Sequence, residues 1–164
     1  MRRLPILILL LILYWARALS EQTHPDNSSA GSQLGEILHS QYQLASKVAE
    51  IPQAVRVALI GLMKHDPRLA DPGERFNATD VVDQRFPMRR LTLAGGTPTS
   101  WFVCYEHGGR GYLRQIIIFT IEGHSAACRT SCSVGVDVRT VPDLQSALDR
   151  RVVRCDPCDK NGYF

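Results

Sequence analysis

The chain predicts an α+β domain: an N-terminal helical hairpin packed on an antiparallel β-meander, in two layers. Three observations lead there. Apolar residues recur at three- and four-residue spacing between Leu34 and Met63, the period of a helix face. From Arg90 onward, β-branched and aromatic runs alternate with glycine-rich turns. Helical segments come first and strands follow, which is the order of an α+β fold and not of repeating βα units.

The first helix is expected from Gln33 to Glu50, with Leu34, Ile37, Leu38, Ala45 and Val48 on one face and Ser32 as its N-cap. Ile51-Pro52 breaks it, and Pro52 suits the first turn of a second helix. Val55, Ala58, Leu59, Leu62 and Met63 line one side of that helix, and His65-Asp66-Pro67 ends it. The two apolar stripes are expected to face each other. Periodicity fades from Arg68 to Pro87, where Asp71-Pro72-Gly73 marks a turn and Asp80 to Gln84 a short helical turn. Asn27-Ser28-Ser29 and Asn77-Ala78-Thr79 match the glycosylation sequon, a pattern too short to carry a function by itself.

Strands are expected at Arg90 to Ala94, Ser100 to Glu106, Tyr112 to Ile121 and Val134 to Val138. Gly95-Gly96-Thr97-Pro98 and His107-Gly108-Gly109-Arg110-Gly111 supply the first two reversals, the second joining two long runs as a hairpin. Asp143 to Arg151 reads as a short helix with Leu144, Ala147 and Leu148 inward, and a last strand is expected after Val152.

Ahead of the domain lies an export signal. Arg2 and Arg3 precede an uncharged apolar run from Leu4 to Trp15, ended by Arg17. A membrane-spanning helix needs about 20 apolar residues, so the run is too short to span comfortably. Ala18-Leu19-Ser20 forms a cleavage site before Glu21, and Ala16-Arg17-Ala18 a second option. The organisation expected is a signal peptide at 1–20, a polar leader at 21–31 and a single domain at 32–164. The leader lacks the apolar side chains needed to offset ordering entropy.

Removing the signal changes the charge balance. The full chain has 19 Lys and Arg against 16 Asp and Glu. Arg2, Arg3 and Arg17 all lie in the signal, so from Glu21 the chain carries 16 of each sign. Nucleic-acid binding draws on excess positive charge, so no nucleic-acid partner is expected. With no second long apolar segment, no membrane span is expected after cleavage. The processed chain is expected in the periplasm or secreted.

Four of the five cysteines form two close pairs, Cys128 with Cys132 and Cys155 with Cys158. Export places them where disulfides persist. Two bridges are expected, and the favoured connectivities join one pair to the other, fastening the C-terminal tail to the sheet. A four-thiolate zinc site has the same spacing, but thiols outside the cytosol tend to oxidise first. A redox role for Cys155-Asp156-Pro157-Cys158 lacks the following helix that lowers a thiol pKa. No metal and no cofactor is expected. Cys104, in mid-strand on the face of Phe102 and Glu106, reads as a small buried hydrophobe.

The densest chemistry is the hairpin tip: Tyr105, Glu106, His107, Arg110 and Tyr112, interleaved with three glycines. Tyr and Arg anchor protein interfaces, and loops on rigid scaffolds carry function. The tip is therefore expected to bind another exported or cell-envelope protein, with His107 and Arg110 meeting carboxylates. An inhibitor or immunity protein acting on a cell-wall hydrolase or toxin is the most concrete form of this. Arg85, Arg89 and Arg90 read as a solvated basic edge. The competing expectation is a small exported hydrolase using Glu106 and His107 or His124 as acid–base groups. No H-E-x-x-H or G-x-S-x-G pattern supports it, so the expected role is non-catalytic.

Overall fold

Strand order in the sheet repeats strand order in the chain. In a computed structural model describing residues 27–63 and 66–158, and of 27–30 the backbone alone, six antiparallel strands pair as β1-β2-β3-β4-β5-β6. They are β1 (Gln43–Ala45), β2 (Arg89–Gly96), β3 (Ser100–His107), β4 (Leu113–Glu122), β5 (Ser125–Val134) and β6 (Val153–Pro157). Three α-helices accompany them: α1 (Asn27–His39), α2 (Gln53–Leu62) and α3 (Val141–Asp149). The expected signal peptide at 1–20 and the leader up to residue 26 lie outside the described residues.

The sheet has an apolar core on each face. Phe102, Cys104, Ile116 and Ile118 bury one face against Leu34 and Ile37 of α1 and Leu144 and Ala147 of α3. Trp101, Val103, Ile117 and Phe119 bury the other against Val55 and Leu59 of α2. Strand side chains alternate in direction, so the runs Trp101–Tyr105 and Ile116–Phe119, apolar at every position, feed both cores at once.

This arrangement corrects the expected helical hairpin and its two layers. The helices α1 and α2 do not present facing stripes; they cover opposite faces of the sheet. The first helix ends at His39, where the Ser40 hydroxyl bonds back to the Glu36 carbonyl at 2.7 Å. Gln43, Leu44 and Ala45 then extend to pair with Gly96, Gly95 and Ala94 of β2. Residues 41–45 keep a helical spacing in sequence, but completing the backbone pairing of the β2 edge outweighs it. The same helix starts at Asn27, inside the segment read as leader.

β5 departs most from expectation. The strand is Ser125–Val134, Ser-Ala-Ala-Cys-Arg-Thr-Ser-Cys-Ser-Val, and not Val134–Val138. Val136 and Val138 still pack against the core of α1 and α3, but as a loop before α3. Register shifts where Ile118 faces Thr130 and Phe119 faces Cys128, so Arg129 is an extra residue in β5. Without that bulge Cys128 and Cys132, four apart, would share a face. With it, Cys132 joins the core under α1 and α3, while Cys128 packs toward the core under α2.

Two disulfides follow, Cys132–Cys155 and Cys128–Cys158, each joining one close pair to the other. Cys132 and Cys155 are direct register partners on β5 and β6. The sequence expectation of bridges that fasten the tail to the sheet is met. Cys104 carries a free thiol, buried in the core, and burial pushes its pKa up.

Residues 66–88 contain no helix, so the expected turn at Asp80 to Gln84 is not helical. The segment is held by buried Asn77, whose amide donates to the carbonyls of Asp83 at 2.9 Å and Phe86 at 2.7 Å. Its Oδ1 accepts from Asp83 N–H at 2.8 Å. A sequon asparagine whose amide nitrogen is committed in this way is unavailable to a glycan in the folded chain.

Candidate functional site

The β3–β4 hairpin brings charged groups together at one end of the sheet. Register alone places Glu106 between Arg90 of β2 and Arg114 of β4. Glu106 is 0% exposed. Its Oε1 accepts from Arg90 Nε and faces Arg90 Nη2, each at 2.5 Å. Its Oε2 accepts from the Tyr112 hydroxyl and lies 3.8 Å from Arg139 Nη2. Asp137, in the loop before α3, holds Arg139 Nε at 2.8 Å and stands 3.5 Å from Arg114 Nε.

Aromatic rings frame these ions. The Arg90 guanidinium lies 4.4 Å from the Phe76 ring centre, Arg114 lies 5.0 Å from that of Tyr112, and the two rings meet at 6.4 Å. Burial and Glu106 together push the Tyr112 phenol up to about 12, so it stays a donor at neutral pH. Three guanidinium groups and two carboxylates leave one positive charge in surplus. Arg110, at the tip, is exposed and adds another.

The hairpin is anchored as well as crossed by ions. Gly108 N–H donates to the Met88 carbonyl at 3.0 Å. A Cβ at Gly108 would come within 1.7 Å of the Asn77 carbonyl oxygen, so only glycine allows the hairpin to seat on the 66–88 loop.

The five residues singled out at the tip are thus divided by the fold. Tyr105 and Glu106 are buried, His107 is half-buried, and Arg110 and Tyr112 are exposed. Tyr105 points to the α2 side of the sheet, where its hydroxyl donates to Gln115 Oε1. His107 is the register partner of Arg89; burial and then the Arg89 charge hold its pKa below the usual histidine value. Strand alternation sends Glu106 and His107 to opposite faces. His124 sits in the β4–β5 turn, roughly 25 Å along the strands from Glu106.

The basic cluster read as a solvated edge is not one. Arg89 is 2% exposed and donates to the Asp66 carbonyl at 2.9 Å, and Arg90 is tied to Glu106. Arg85 alone of the three is exposed, paired with Asp83 at 2.6 Å. That pairing holds the Asp83 carboxyl at about 2. Arg114, Arg139 and Asp137 escaped the sequence reading. The signal for Arg114 was available, because a hairpin closed around residues 108–112 sets Glu106 opposite Arg114. Arg139 and Asp137 come from a loop whose placement no spacing encodes.

Among the described residues, no three His, Cys, Asp or Glu side chains gather as a metal site, and no helix is long and apolar enough to cross a membrane. Comparison of the chain with family models, curated proteins and solved structures finds no match.

Proposed function

We propose that the chain is an exported, non-catalytic binding protein. Its β3–β4 hairpin end enters an acidic cleft of another exported or cell-envelope protein, as an inhibitor or immunity protein acting on a cell-wall hydrolase or toxin does. One observation carries the reading: Glu106, the carboxylate of the tip, is fully buried under Arg90, Arg139 and Tyr112. The end therefore presents arginine and tyrosine outward and consumes its own acid internally. Enzymes that cut cell-wall glycans work with a pair of carboxylates, to which such a surface is complementary. Tyr112 and Arg110 fit the residue types that anchor interfaces.

Two disulfides support an oxidising compartment, and the arginine-flanked apolar run at the N-terminus supports export as the route to it. Against the hydrolase alternative stands the divergence of Glu106, His107 and His124, which share no cleft.

The test is a cell-wall clearing assay with purified lysozyme-type and amidase-type hydrolases. Added protein inhibits at least one of them near stoichiometrically, and Arg110→Ala with Tyr112→Ala weakens inhibition at least about tenfold, a loss of about 1.4 kcal/mol. Clearing by the protein alone, abolished in Glu106→Gln, supports the hydrolase alternative instead.

A further inference from the structure

The opposite end of the sheet carries a second site of different chemistry. An open groove of about 1300 Å³ lies between β1, the first turns of α2 and the β4–β5 turn. Trp101 of β3 forms part of its floor. Trp101 is the register partner of Gly96, where a Cβ would lie 2.5 Å from the indole Cγ. Glycine at that position lets the indole lie across β2, a use of strand glycine that permits close approach. Half-buried Tyr42 adds a second ring at the border.

Three carboxamides, Gln41, Gln43 and Gln53, line the groove and are exposed. Among the described residues their side chains make no hydrogen bond. No Asp, Glu, Lys or Arg lines the groove. A charged ligand held there would lose its hydration with no counter-ion to replace it. A purely apolar ligand would leave the carboxamides unpaired. The lining suits a neutral ligand with apolar faces and many hydroxyls. Single small ligands occupy about 300–1,000 Å³, so the space suits several linked rings.

We propose that this groove binds a neutral oligosaccharide. Trp101 and Tyr42 pack against the C–H faces of its rings, and Gln43 and Gln53 pair with its hydroxyls, each carboxamide both donating and accepting. The site is separate from the hairpin end and does not depend on it.

Trp15 and Trp101 are the only tryptophans. In the full chain carrying Trp15→Phe, indole emission therefore reports on the groove alone. Titration with cellotetraose and with N-acetylated chitotetraose gives a saturable change for at least one of them. Gln53→Ala, an exposed position at the start of α2, weakens that binding at least about fivefold, the loss of one hydrogen bond. Arg110→Ala leaves it unchanged. The proposal is overturned by no saturable response to either sugar, or by an equal response to charged tetragalacturonate. A response to tetraglycine alone overturns it too, as does sedimentation showing a second copy of the chain covering the groove.

Discussion

At the scale of single residues, polar groups buried in this chain are structural before they are anything else. Asn77 closes the 66–88 loop, and Glu106 gathers arginines from two strands and one loop. His107 gives the clearest dependence on pH. Burial and Arg89 lower its folded pKa, while the unfolded chain keeps a value of about 6.5. The unfolded state thus binds the proton more readily. The contribution of a neutral His107 is fully present above about pH 6.5 and is lost as pH falls below it. Thermal unfolding followed from pH 7.5 to 5 is expected to show falling stability, with a shallower fall in His107→Gln. Equal slopes in the two proteins contradict that assignment.

Among elements, β5 teaches most. Its sequence is small and polar, with none of the branched or aromatic weight that marks β3 and β4. It is a strand because β4 supplies a partner and two disulfides fix its position against β6. The Cys132–Cys155 bridge spans a sequence separation of 23, nested within the Cys128–Cys158 bridge, which spans 30. Nesting makes their stabilising effects less than additive. Replacing Cys132 and Cys155 together by alanine is expected to lower the unfolding free energy by about 2–3 kcal/mol, read by denaturant titration. An unchanged midpoint and slope would mean that β5 is held by its ladder alone.

For the molecule as a whole, the meander was legible and the placement of helices was not. Hydrophobic runs and glycine turns located β2, β3 and β4, because those signals are local. The tail bridges were legible too, since two close cysteine pairs leave few pairings. That α1 and α2 cover opposite faces depends on which side each connection takes, and no periodicity records that. At the site, Glu106 and Tyr112 were visible in the sequence as a dense stretch. Their burial and their arginine partners were not, because Arg139 and Asp137 arrive from about 30 residues away in the chain. The account's central claim is that the hairpin end is a binding surface built over a structural carboxylate. The direct measurement is the unfolding free energy of Glu106→Gln beside its activity on cell-wall substrate. Removing one partner of a buried ion pair costs about 3–5 kcal/mol, so a loss approaching 3 kcal/mol is predicted, with no substrate turnover in either protein. Wild-type stability together with a turnover that vanishes in the variant would contradict the claim.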